Sequence, residues 1–254
     1  MIPKVATKRN AQLVVVVLCA AAFKLYYSTA SVNQLRWILA PTTAAVELVS
    51  GTRFEFERHA GYISSDRSFV IAASCAGVNF LISSFLMLSL RRLWRGRAQD
   101  TCWRFIPWAA LCAYGATLVA NTVRISAALR LRAVSPEAGW LSPNHVHRLE
   151  GIFIYFGFLL LLFVVSEKMG PESGSRARNT RGLFRRACCP LLCYYATTLG
   201  IPMANGAYRQ GADFWMHALF VLLIPLLLML PLVALRLYRT QGSDVMKQAP
   251  PAHT

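Results

Sequence analysis

Residues Ser68–Leu90 read SFVIAASCAGVNFLISSFLMLSL, 23 positions without one charged side chain. A helix crosses the hydrocarbon of a bilayer with about 20 apolar residues, at roughly 1.5 Å of rise each. Five further stretches have the same character: Ala11–Tyr27, Phe105–Ile125, Val146–Ser166, Cys188–Ala204 and Trp215–Leu235. The chain as a whole is 56% hydrophobic and 15% charged, with mean hydropathy +0.43. Soluble domains average about 45–50% apolar and about 25% charged residues. The expected fold class is therefore all-α, a polytopic transmembrane helix bundle of about six spans. Lys4, Lys8 and Arg9 ahead of the first apolar run imitate a signal peptide. No small-residue cleavage site follows before Lys24, Tyr26 and Tyr27, so this run reads as an uncleaved span.

A net charge of +16 invites a nucleic-acid reading. The basic residues instead lie in short clusters between apolar blocks, as topology signals do, so nucleic acid is not an expected partner. Lipids are. Gln34–Ser50 is less clear, because Arg36, Pro41 and Glu47 interrupt it. It reads either as a re-entrant or interfacial segment or as a seventh crossing. If it does not cross, segments 1–10, 91–104, 167–187 and 236–254 share one side and hold 17 Lys or Arg against four acids. The opposite loops hold seven basic and six acidic residues. Lys and Arg gather on the cytoplasmic side, which puts both termini in the cytoplasm and favours six spans plus a re-entrant piece. Eight spans remain possible if another weak segment also crosses.

Residues 1–240 read as one integral membrane domain with a catalytic core at about 68–166, and 241–254 as a disordered cytoplasmic tail. Gly170–Arg186 reads as a flexible cytoplasmic loop and Ser135–Asn144, with Pro136, Gly139 and Pro143, as an ordered external one. The seven cysteines form no CxxC and have no histidine-rich spacing beside them, so no metal is expected. Walker, Rossmann and HExxH patterns are absent, and no cofactor is expected.

Threaded this way, three successive spans deliver a thiol, a guanidinium and an imidazole to the external half of the bundle. Cys75 lies near the outer end of the second, Arg124 of the third and His147 of the fourth. Each has a simpler reading: a packed cysteine, a snorkelling arginine, an interfacial histidine. Together they suit cleavage of a peptide bond through a thioester. A cation favours the thiolate, arginine can hydrogen-bond a developing oxyanion, and histidine can move a proton near neutrality. Gly77 could admit a substrate backbone. Asn121, three before Arg124 on the same helix face, could orient the guanidinium. Glu150 could hold the His147 imidazole, or could pair with Arg148 or a lipid headgroup.

Ser74-Cys75-Ala76-Gly77, Asn121-Thr122-Val123-Arg124-Ile125 and His147-Arg148-Leu149-Glu150-Gly151 resemble, in order, the three signature segments of the exosortase/archaeosortase family. The resemblance covers about residues 70–165, and the wording around Cys75 and His147 is most similar to the exosortase K type. It implies a membrane cysteine protease or transpeptidase of the cytoplasmic (inner) membrane of a prokaryote. Its partners would be exported proteins with a C-terminal sorting signal: a short motif, a transmembrane helix and a basic cluster. It also implies Cys75 as nucleophile, Arg124 as transition-state stabiliser and His147 as acid/base, with His145 a rival for the last role. Some relatives carry arginine in place of the histidine, which keeps Arg148 in view. Two other classes compete: a transporter or lipid-handling membrane protein, and a non-catalytic assembly factor of the same fold. No acidic residue lies within a span core, which counts against ion coupling.

Overall fold

The structure is a computed structural model that describes residues 2–95, 102–134, 143–169, 180–206, 209, 211 and 214–230, giving the backbone alone at 2–7, 95, 132–134, 143–147 and 180–187. It is mostly helical. Helices α1 (Ile2–Thr29) and α2 (Arg36–Ser50) come first. Strands β1 (Phe54–Glu57), β2 (Gly61–Ser64) and β3 (Val70–Ile71) follow, and then a 3-10 turn over Ala73–Ala76. Next come α3 (Val78–Arg95), α4 (Phe105–Val134), α5 (Pro143–Lys168) and α6 (Thr180–Tyr195). A π turn, Ala196–Gly200, joins α6 to α7 (Ile201–Ala204), and α8 spans Phe214–Leu230.

Four helical stretches are long and apolar enough to cross a membrane: Lys8–Thr29, Ala73–Trp94, Phe105–Leu131 and Arg148–Lys168. They match the first four expected spans. Cys188–Ala204 and Phe214–Leu230 are apolar but shorter. The exposed large side chains are what a lipid-facing surface needs, with Leu18, Leu25, Trp108, Leu161 and Leu227 all outward. Within the bundle α3 is the central element, packed against α1, α4, α5 and α6.

Helix α2 is about 22 Å long at 1.5 Å per residue, short of the roughly 30 Å of a hydrocarbon core. It lies along α4, and its Pro41 explains part of the attachment. Proline has no N–H to give the carbonyl four residues back. That carbonyl belongs to Trp37 and accepts the Tyr114 hydroxyl of α4 at 2.8 Å, while the two rings stack with centroids 5.7 Å apart. Glu47, an interruption in the sequence reading, takes the Phe54 N–H at 2.7 Å and ties β1 to α2.

The three strands are the main departure from an all-α chain. They form an antiparallel sheet in the order β1-β2-β3, with Phe54 opposite Ser64 and Tyr62 opposite Ile71. The expected span starting at Ser68 therefore begins later, since Val70 and Ile71 pair with β2 and regular helix starts only at Val78. Asp66 organises the turn between β2 and β3. Its carboxylate accepts the Ser64 hydroxyl at 2.6 Å, the Ser68 N–H at 3.1 Å and the Ser68 hydroxyl at 2.6 Å. These bonds, led by those from Ser64 and Ser68, hold the carboxyl down to about 2.

A second correction falls on the loop expected over Gly170–Arg186. From Thr180 it is already helical, because α6 starts there; residues 170–179 lie outside the described residues, as do most of the external loop at 135–144 and the whole tail at 241–254. Past α6 the backbone widens into the π turn just before Pro202, a residue that cannot close the regular hydrogen bond behind it. Thr197 in that turn meets the Ser83 hydroxyl of α3 at 2.5 Å, a fully buried bond between helices.

Candidate functional site

Cys75 does not sit in a regular span helix. It lies in the 3-10 turn between β3 and α3, with its N–H bonded to the Ala72 carbonyl at 2.9 Å. The sheet thus delivers the chain to the thiol, and Gly77 turns it into the helix. Gly77 has φ +67, a left-handed conformation that costs an L-residue roughly 1–2 kcal/mol. A Cβ there would also lie 2.5–2.8 Å from the Asn121 amide. The space that the sequence reading offered to a substrate backbone is therefore occupied by Asn121.

Asn121 and Arg124 are both buried on the face of α4 that meets α3 and α5. Arg124 crosses α5 at Gly151, whose missing Cβ would stand 3.5 Å from Nε and 3.9 Å from Cδ. One turn further along α5, Tyr155 receives Arg124 Nη1 on its hydroxyl at 2.8 Å. The same hydroxyl donates to Asn121 Oδ1 at 2.5 Å. Asn121 therefore holds the guanidinium through a phenol rather than directly. The Tyr155 ring lies with its centroid 5.3 Å from the Arg124 guanidinium carbon and stacks on Phe80 of α3, 5.3 Å between centroids.

Cys75, Arg124, Tyr155 and Tyr27 all fall within electrostatic reach of one another. Tyr27, from α1, donates to the Ala73 carbonyl of the cysteine's own turn at 3.4 Å. Beside it Lys24 gives a hydrogen bond of 2.7 Å to Asn79 Oδ1. The Glu150 carboxylate also acts on Arg124, a partner the sequence reading had not considered for it.

Cys75, Gly77, Asn121 and Arg124, nominated from sequence, thus converge in one buried cluster. His145 and His147 lie on the first turns of α5, and their side chains fall outside the described residues. In the helix His147 stands one turn before Gly151, where Arg124 crosses, and His145 one turn before Leu149. Leu149 lines an apolar groove of about 530 Å³ between α5 and α8, together with Phe153, Ile224 and Leu228.

Sequence reasoning missed Tyr155 and Tyr27. A signal existed for Tyr155: a tyrosine inside an apolar span must find a partner for its hydroxyl. It also stands four residues after Gly151, hence on the face that Arg124 crosses. Among the described residues no group of three or more His, Cys, Asp or Glu could hold a metal ion.

The chain is thus a helix bundle with four helices of membrane-crossing length and a buried thiol–guanidinium–phenol cluster near the starts of α3 and α5. No protein-family model matches it, and neither does any curated protein or any solved structure.

Proposed function

We propose that this protein is a membrane-embedded cysteine protease or transpeptidase that cuts C-terminal sorting signals from exported proteins. The observation that carries the proposal is the convergence of Arg124, Tyr155 and Asn121 on Gly77, two residues beyond Cys75, in a cluster shielded from solvent. Electrostatic interactions strengthen in such a medium, where a fixed donor needs no reorganisation as charge develops. Resemblance of the three short segments around Cys75, Arg124 and His147 supplies the substrate class.

In this reading the Cys75 thiolate attacks the carbonyl carbon of the scissile peptide. The oxyanion forms against the Arg124 guanidinium. The C–N bond then breaks, the amine leaves with the proton that His147 took from the thiol, and a thioester remains on Cys75. Water or an acceptor nucleophile attacks that thioester, releases the product and returns the thiol. His147 is preferred to His145 because it stands on α5 one turn before the glycine that Arg124 crosses. The bias of Lys and Arg across the loops supports cleavage at the outer face of the cytoplasmic membrane, with both termini inside.

The test is to co-express a candidate substrate bearing a C-terminal motif, transmembrane helix and basic cluster, and to follow its size. Cys75→Ala should leave it uncut while the enzyme remains abundant in the membrane. Normal processing by that variant would end the protease reading. Comparing His145→Ala with His147→Ala assigns the proton carrier, and greater loss in the former would reverse the preference.

A further inference from the structure

The bonds around Tyr155 can run in only one direction. A guanidinium only donates, so the Tyr155 oxygen must accept from Arg124 Nη1 at 2.8 Å. The phenol has one proton, and it goes to Asn121 Oδ1 at 2.5 Å. This sets the amide's orientation: Nδ2 points away from the phenol, and among the described residues it has no hydrogen-bond partner. The Asn121 side chain itself is fully buried and rests on Gly77, two residues beyond the thiol. A one-way chain of donors therefore runs from Arg124 through Tyr155 to Asn121, whose amide packs on Gly77 at the end of the turn that carries Cys75. Phe80, five residues after Cys75, stacks on the same phenol ring.

We infer that Tyr155 is a positioning residue that holds the Arg124 guanidinium against the Cys75 turn, an inference that rests on reading Cys75 as the nucleophile. An arginine side chain turns about four bonds, and placing its charge to within an ångström of a reacting atom needs more than packing. Gly151 supplies the room for the side chain to cross α5, and the phenol supplies the end-point. Because the hydroxyl is neutral, it fixes the guanidinium without cancelling its charge. Asn121 does the same for the phenol.

The test measures the field at the thiol directly. In the full-length protein in detergent, Cys75 is alkylated with iodoacetate or with iodoacetamide, and initial rates are read by mass spectrometry of the Cys75 peptide. In both reactions the S–C bond forms as iodide leaves the same carbon. The ratio of the two rates therefore cancels thiolate fraction and access, and reports how strongly local charge favours the anionic reagent. Arg124→Ala should lower the ratio about tenfold, the effect of one well-placed charge at partial screening. Tyr155→Phe keeps the ring and its stack on Phe80 but removes the hydroxyl, and should lower the ratio about threefold or more. Asn121→Ala should fall between Tyr155→Phe and the wild type. At Cys19, on α1, the ratio should stay constant in every variant.

A wild-type ratio in Tyr155→Phe, or an equal change at Cys19, would overturn the positioning role. Equal ratios in the wild type and Arg124→Ala, or no alkylation of Cys75 at all, would overturn it together with the nucleophile reading. In processing assays Tyr155→Phe should reduce kcat about tenfold with KM changed less than about twofold, since the interaction is needed only as charge develops. A rise in KM with kcat intact would assign the hydroxyl to substrate binding and overturn the inference.

Discussion

Arg91, half-buried, and Arg124, buried, both lie at the contact with α5, one near each end of the bundle, and the fold holds them in different ways. Arg91, from α3, gives Nε to the Glu167 carboxylate at 3.2 Å and lies over the Phe163 ring, 6.0 Å from its centroid. Arg124, from α4, gives Nη1 to a phenol and lies over that phenol's ring. Each arginine thus meets an aromatic ring of α5. At one end a carboxylate meets the charge; at the other a neutral hydroxyl fixes the guanidinium in place, with Glu150 acting on it through space. The Arg91 charge is bonded directly to its carboxylate, whereas the Arg124 hydrogen bond to a phenol leaves its charge to act on both Glu150 and the cysteine turn. The contrast lies in partner chemistry: a carboxylate for Arg91, a phenol hydroxyl for Arg124.

The largest expected effect breaks that comparison at Arg124. Arg124→Ala should reduce substrate processing at least about 100-fold, the scale of losing one oxyanion donor, while the membrane retains normal amounts of protein. Arg91→Ala should do the reverse. Losing this partly buried charged hydrogen bond should cost about 1.5–3 kcal/mol of stability, with processing per molecule close to wild type. Quantifying product per immunodetected enzyme, beside unfolding in graded detergent mixtures, measures both quantities. Equal losses of turnover in the two variants would erase the distinction. Exchanging the pair as Arg91→Glu with Glu167→Arg should regain most of the lost stability, and failure to do so would show that the surroundings favour one polarity.

Two glycines sharpen the comparison at smaller scale. Gly77→Ala should destabilise by about 2 kcal/mol or more, since it combines a left-handed φ with a collision against Asn121. It should also depress processing by moving the amide that holds Tyr155. Gly151→Ala should stay within about 0.5 kcal/mol of wild type, because a Cβ 3.5 Å from Arg124 Nε is an ordinary contact. Matching stabilities for the two variants would contradict the geometry described for the cysteine turn. Below these lies the Ser83–Thr197 bond: Ser83→Ala or Thr197→Val should each cost about 0.6 kcal/mol, typical of bonds between membrane helices, and leave processing unchanged.

The smallest effect concerns acid. Asp66 is depressed from 3.8 to about 2 by its serine partners, so its contribution to the sheet is complete above 3.8 and is lost as pH falls through about 2. Asp66→Asn should remove that dependence. Circular dichroism of wild type and variant between pH 5 and 2 would test this, and parallel curves would show that the turn does not rely on the carboxylate.

How much of this was readable in the chain differs by element. Helices of membrane-crossing length were legible in runs such as Ser68–Leu90, because lipid solvation demands uninterrupted apolar length whatever the neighbours are. Asn121 and Arg124 were legible as a pair because three residues of helix always place two side chains on one face. The sheet at 54–71 was not, since its strands are two to four residues long and depend on pairing with one another. Nor was the role of Glu47, whose partner is an N–H seven positions away and in another element.

The sequence by itself determined the solvent this protein is built for, the helix lengths that follow from it, and the polar residues too costly to bury without a purpose. Only the tertiary structure decided what those residues meet. It placed Cys75 in a turn ahead of α3, gave the space beside Gly77 to Asn121, and ran Arg124 across Gly151 to a tyrosine that no local pattern had joined to it. The physical reason is range: hydrophobic length acts along the chain, whereas hydrogen bonds and charge act across a few ångströms between helices that only packing brings together.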